Sequence, residues 1–322
     1  MIDVGIIGCD NLRGYELVRV LINHPDVVLK WVASRVHAGE RLEHLVRGIV
    51  GESDLVVSPV GPLDEVDVVF VTHERRLVED SLRSIGVSGT TRVVDMSGSH
   101  NLDHGHGNRW VYGLSEMQRR VLVHDAELVT VPGSAAAASL LALMPMARNL
   151  LLNSPVSLHV ELGECACVAQ DNESVATPDG LTREQWLNEQ RQEVQLALVQ
   201  CQPNFKQPVE MTVSQQGERR TIEATARIKC GIDGDMVRQL YEQYYGDHNF
   251  VFLVDRPIVA ADVENTNKCL IMLDKDGAAG TLTVHAMMDV LLKGSAGMAV
   301  HVMNLMYGLH ERVGLTLKGT GC

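Results

Sequence analysis

Strand, helix, strand is the reading of the first thirty-four residues, and no other feature constrains the fold as much. Residues 3–8, DVGIIG, are a short β-branched run ending in glycine. Residues 14–24 place Leu17, Val18, Val20, Leu21 and Ile22 at helical spacing and close on NHPD, and VVLKWVAS (27–34) is a second strand. Such a βαβ unit builds a parallel sheet. VDVVFVT (66–72) is apolar throughout, as buried parallel strands are. A helix over 75–86 and strands RVVDMS (92–97) and AELVTV (126–131) extend the alternation. The expected fold is α/β, a doubly wound parallel sheet.

The pattern changes after 155. VSLHVELGECACVA alternates with a period near two, and a polar stretch (170–200) turns helical from 182. Alternating strands PVEMTVS (208–214) and RTIEATARIK (220–229), a helix over 233–245 and strands near 250–254, 268–274 and 280–287 follow. This predicts a second, α+β domain with a mainly antiparallel sheet. KGSAGMAVHVMNLMYGL (293–309) reads as a helix with Ala296, Val300, Met303, Asn304 and Tyr307 near one face. The expected domains are 1–133, with 290–322 returning to it, and 134–289.

Composition narrows the function classes. The chain carries 28 basic and 41 acidic side chains, a net charge of −13, which disfavours nucleic acid, whose backbone needs Lys and Arg to displace counterions. Seven scattered cysteines without a CxxC pattern fit a reducing compartment. The N-terminus has no basic flank or long apolar run, and the longest apolar run, 135–147, contains Pro145 and is too short to span a bilayer. A soluble, cytoplasmic protein without membrane partners is expected.

Four stretches could carry chemistry. In VPGSAAAASLLALMP (131–145) a Pro-Gly turn delivers Ser134 to a helix mouth, as a nucleophile or as an N-cap; the cap is the favoured reading. The first loop, GIIGCDNLRGYE, places Gly5, Gly8 and Gly14 where a dinucleotide turn needs glycines, but the spacing is unusual and Asp10 is negative where phosphate would sit. Ser34 and Arg35 either take a 2′-phosphate or are a solvated pair. Histidines 100, 104 and 106 could hold zinc, with a solvated loop as the favoured alternative, and Cys165 and Cys167 could supply a displaced thiol or only packing.

VGIIG, ELVRVLINHPDV (16–27), DEVDVVFVTH (64–73), VVDMSG (93–98), YGLSE (112–116), VPG (131–133), VENTNKCLIML (263–273) and DVLLKGSAGMAVHVMNLMYGL (289–309) together resemble the N-acetyl-γ-glutamyl-phosphate reductase family, of the aspartate-semialdehyde-dehydrogenase-like class. The resemblance runs nearly end to end. It implies a Rossmann-type NADP(H) domain that takes back the last helix, a substrate and oligomerisation domain, and a homo-oligomer, dimer or tetramer. It also implies a reaction: a cysteine thiolate attacks an acyl phosphate, NADPH reduces the thioester to an aldehyde, and a histidine moves the protons.

The motifs depart where that chemistry is assigned. Ser134 stands at the family's cysteine, and Gln190, with Glu193 retained, at its histidine motif. Gly163 and Glu164 open a diverged substrate loop. Asn101 replaces an arginine near the substrate residue Ser97, Val290 an asparagine ahead of Gly294 in the last-helix motif, and Asn11 a glycine beside Gly8 in the cofactor loop. Two readings follow. One is a family member that has lost the acyl-phosphate chemistry and acts by binding, as an accessory subunit of an intact reductase paralogue. The other is an active reductase of N-acetyl-γ-glutamyl phosphate, or a related acyl phosphate, with a rearranged site.

Overall fold

The computed structural model of the chain describes residues 1–59, 61–72, 91–103, 109–166, 181–215, 220–276 and 280–319. The chain divides into two compact units. One holds Met1–Pro132 and Ser295–Thr316; the other holds the described residues from Gly133 to Gly294 and the chain end from Leu317.

The first unit begins with β1 (Ile2–Ile7), α1 (Leu12–Leu21) and β2 (Val27–Ala33). It continues through β3 (Val68–Val71), β4 (Arg92–Asp95), β5 (Trp110–Tyr112), α2 (Ser115–His124) and β6 (Leu128–Thr130). The six strands pair in parallel in the order β2-β1-β3-β4-β6-β5. β3 is buried at every position, as its unbroken apolar run requires. The helix expected over 75–86 lies outside the described residues. The order reverses direction at β1 and β3, the switch point beside which doubly wound sheets bind ligands.

Gly5 belongs to this sheet and not to the loop after it. A Cβ there would stand 2.3 Å from the Trp31 ring, and one at Gly61 2.1 Å from it, so the indole is clamped between two glycines. Its Nε1 donates to the Pro62 carbonyl at 3.0 Å.

The second unit runs α3 (Ser134–Arg148), β7 (Val156–Leu162), α4 (Arg183–Cys201), β8 (Val209–Ser214) and β9 (Thr221–Lys229). α5 (Gly234–Tyr245), β10 (Val251–Leu253), β11 (Cys269–Asp276) and β12 (Thr281–Asp289) complete it. Its sheet order is β10-β11-β12-β9-β7-β8, antiparallel through the middle with a parallel pair at each edge. α3 is buried along Ala135–Ala147, and its four successive alanines let it lie close to its neighbours.

A π-helical turn, Leu292–Ala296, leads into α6 (Gly297–Met306), whose residues from Ser295 on belong to the first unit. The sequence assigned this helix one apolar face. In fact every residue from Gly297 to Met306 is buried, so the polar Asn304 and His301 point into the interior and are hydrogen-bonded there.

Candidate functional site

α3 begins one residue away from the sequence expectation. Gly133 is the N-cap and Ser134 is the first helical residue. The Ser134 hydroxyl therefore does not cap the helix, and it has no hydrogen-bond partner among the described residues. Two amides at this helix mouth, one of them an amide that a cap would serve, are taken by α4. The Gly133 N–H donates to Glu193 Oε1 at 3.0 Å, and the Ala136 N–H donates to Gln190 Oε1 at 3.1 Å. Gln190 Nε2 in turn reaches Glu193 Oε2 at 3.4 Å. Three apart on α4, Gln190 and Glu193 share a face, and both are buried. A helix N-terminus favours an anion, so the Glu193 carboxylate sits where the backbone dipoles attract it.

Gly133 and Gly294 are glycines for steric reasons. A Cβ on Gly133 would fall 2.2 Å from Gln190 Nε2, so the carboxamide lies on the Gly133 backbone. A Cβ on Gly294 would come within 3.2 Å of the Ser134 Cβ. The segment before Gly294 is pinned by Asp289, a buried residue that the sequence reading did not single out. Its Oδ1 accepts from the Leu291 and Leu292 amides at 2.9 Å each, and its Oδ2 from the Asn265 amide at 2.7 Å and Arg220 Nε at 2.8 Å. The signal available was an acid ahead of an apolar Leu-Leu pair. Val290 is buried and donates its N–H to the Arg220 carbonyl, so its side chain is packing. Gly163 is buried and donates to the Thr221 carbonyl, and Glu164 is exposed at the head of a 3-10 turn. Cys165 is half-buried; Cys167 lies outside the described residues.

In the first unit, Gly8 adopts φ +98°, the left-handed conformation glycine tolerates. Asn11 caps α1: its Oδ1 accepts from the Gly14 amide at 2.9 Å, and its Nδ2 donates to the Thr72 carbonyl at 2.8 Å. Burial, and secondarily the Asp10 charge, push the Cys9 thiol up to about 12, so Cys9 is packing. Ser34 and Arg35 are not a solvated pair. Ser34 is buried, its hydroxyl accepting from the Val36 and His37 amides and lying 3.5 Å from Asp10 Oδ2, because it closes the turn after β2; Arg35 alone is exposed.

Beyond β4 the side chains of one loop converge on Asp95, which is fully buried. Its Oδ1 accepts from the Ser97 amide at 2.8 Å and hydroxyl at 2.6 Å; its Oδ2 faces His100 Nδ1 at 2.7 Å. His100 stacks on Trp110 with ring centroids 3.8 Å apart and planes 17° apart. Asn101 is buried and accepts from the Thr130 hydroxyl. Around Asp95 the loop is thus internally bonded, while Asp103 is exposed. His104 and His106 lie outside the described residues. No group of three His, Cys, Asp or Glu is placed to hold a metal among the described residues.

Residues 3–124 match the family described as semialdehyde dehydrogenase, NAD binding domain, and residues 172–289 match semialdehyde dehydrogenase, dimerisation domain. An N-acetyl-gamma-glutamyl-phosphate reductase from Phocaeicola vulgatus is 34% identical over 332 aligned positions, covering 99% of each chain. The chain belongs to the N-acetyl-gamma-glutamyl-phosphate reductase family. A second reductase of the family, from Parabacteroides distasonis, is 33% identical over 329 positions, again covering 99% of each. Among solved structures, aspartate semialdehyde dehydrogenase II from Vibrio cholerae, complexed with ASA, has the same fold, with TM-score 0.73 at 13% identity, covering 96% of this chain and 98% of that one. The Candida albicans aspartate semialdehyde dehydrogenase with NADP aligns at TM-score 0.69 and 12% identity, covering 95% and 99%. Among the described residues, no helix is long and apolar enough to cross a membrane.

Proposed function

We propose that this member of the reductase family does not reduce acyl phosphates through position 134 and acts by binding, as an accessory subunit beside an intact reductase or in a homo-oligomer. One observation carries the reading. The mouth of α3 is filled by the chain's own Gln190 and Glu193, which bind its backbone amides, while the Ser134 hydroxyl is hydrogen-bonded to no base among the described residues. A serine nucleophile needs a positioned base, and a glutamine carboxamide bound to a backbone amide cannot accept its proton.

The family resemblance assigns NADP(H) as cofactor. The Gly8 turn fits the close approach of a dinucleotide, but the polar groups around it do not fit a phosphate. Asn11 already occupies the Gly14 amide at the α1 mouth, and Asp10 adds a carboxylate. Weak NADP(H) binding at most is expected.

The test is turnover of N-acetyl-γ-glutamyl phosphate with NADPH, and of the semialdehyde with NADP and phosphate. No turnover above background is expected, with Ser134→Cys restoring little, because Gln190 and Asn101 remain. Ordinary enzymatic turnover abolished by Ser134→Ala would falsify the proposal and favour a rearranged active site. The binding role predicts that the chain co-elutes with an intact reductase of the same cell, or with itself, on size exclusion.

A further inference from the structure

We propose that His100, held by Asp95, is a nucleophilic site for activated acyl compounds in the first unit, independent of what happens at position 134. The Asp95 carboxylate can only accept, so the 2.7 Å contact places a ring proton on Nδ1, and in the neutral imidazole the lone pair is on Nε2. Nε2 makes no hydrogen bond among the described residues, whereas the polar side chains around it are tied: Ser97 to Asp95, Ser99 to Ser97, Asn101 to Thr130. Trp110 fixes the ring plane from one face. The His100 side chain is 13% exposed and that of Asp95 0%, so the dyad is buried at its carboxylate end and partly exposed at its imidazole. Asp95 is the last residue of β4 and His100 is in the loop after it, at the carboxyl edge of a parallel sheet, where doubly wound folds bind ligands.

The chemistry follows from the free nitrogen. Nε2 attacks the acyl carbonyl, the new N–C bond forms, and the leaving group departs with its electron pair. The acylimidazolium keeps its Nδ1 proton on Asp95. Water then adds to the carbonyl, the C–N bond breaks, the carboxylic acid product leaves and one proton passes to solvent. Imidazole displaces only good leaving groups, which restricts the substrates to activated esters and their like.

The probe is p-nitrophenyl acetate with the full chain and no cofactor. Release of p-nitrophenolate is expected to run at least tenfold faster than with equimolar free imidazole. His100→Phe is expected to remove at least nine-tenths of it, while His159→Gln, a half-exposed histidine on the second unit's sheet, changes it less than twofold. Diethylpyrocarbonate is expected to modify His100 before the exposed His310, read by peptide mass spectrometry. In Asp95→Asn the ¹⁵N ring signals of His100 are expected to lose the fixed Nδ1–H form. A rate no greater than free imidazole, or one that survives His100→Phe, overturns the proposal even if Asp95→Asn fails to fold. Neither result bears on reductase turnover, so the two proposals fail separately.

Discussion

At the scale of single residues, the mouth of α3 separates roles that the sequence ran together. A Ser at a turn before four alanines has the local signature of a cap, and local signature was all the sequence offered. The cap in fact comes from Gln190, fifty-four residues beyond the Ala136 amide it accepts from, a tertiary partner that no local pattern reveals. The identity of position 190 was legible from the motif; its hydrogen bond was not. Ser134→Ala is therefore expected to change stability within about 0.5 kcal/mol, as an unpartnered surface-edge hydroxyl does. Gln190→Ala is expected to cost about 1 kcal/mol, the value of a lost cap. Gly133 has φ −60°, open to any residue, so Gly133→Ala is a purely steric change, expected to cost about 1–3 kcal/mol through overpacking on the carboxamide. Urea melts of the single and double mutants form a cycle. Gly133→Ala should become much cheaper in the Gln190→Ala background, and equal costs in both backgrounds would sink this account of the site.

At the scale of elements, α3 shows how a helix runs through a proline. Pro145 interrupts the apolar run, and proline inside a helix removes an N–H and crowds the carbonyl four residues earlier. Yet the helix continues to Arg148. The carbonyl deprived of its donor is Leu141, and Tyr245 of α5 donates its hydroxyl there, while Tyr241, one turn earlier, donates to Ala142 at 2.6 Å. Both tyrosines are buried, and burial pushes the Tyr241 phenol upward, which keeps it a donor. Spacing predicted the α5 helix but not its task, since pairing a tyrosine with a proline a hundred residues away requires the fold. Tyr245→Phe is expected to destabilise by about 1–3 kcal/mol by leaving a buried carbonyl unpaired. Pro145→Ala restores the helical donor, so the Tyr245→Phe cost should shrink in that background, while Tyr241→Phe, whose acceptor keeps its Met146 amide, should cost the same in both. Thermal or urea unfolding of the four variants checks this; a Tyr245→Phe cost independent of residue 145 counts against it.

At the scale of the whole molecule, both sheets were legible because their strands pattern differently, apolar throughout in the first and alternating in the second. β5 was not, since three residues are too few to display a period, and neither was the π turn before α6. The return of α6 to the first unit has an energetic signature that can be measured. His24, at the end of α1, is buried with its Nε2 3.0 Å from Asn304 Oδ1 of α6, and the Asp26 amide donates to its Nδ1 at 3.2 Å. Asn304 Nδ2 donates to the Glu311 and Val313 carbonyls, so the histidine and the chain end after α6 are joined through one carboxamide. An accepting Nδ1 and a donating Nε2 define neutral imidazole. Burial, the largest influence, accordingly lowers the His24 pKa below its ordinary 6.5, against smaller opposing pulls from Asn304, Asp26 and Val313. The sign follows: the unfolded chain binds the proton more readily, so stability is full above about pH 6.5 and falls as the pH drops below it, levelling off once the folded protein is protonated too. His24→Gln is expected to lower stability at pH 8 and to flatten the loss between pH 7 and pH 5.5, read as the urea midpoint at each pH. Equal pH slopes in the two proteins would mean that the fold binds the His24 proton as readily as the unfolded chain does, and that burial, the Asp26 amide and Asn304 do not hold it neutral.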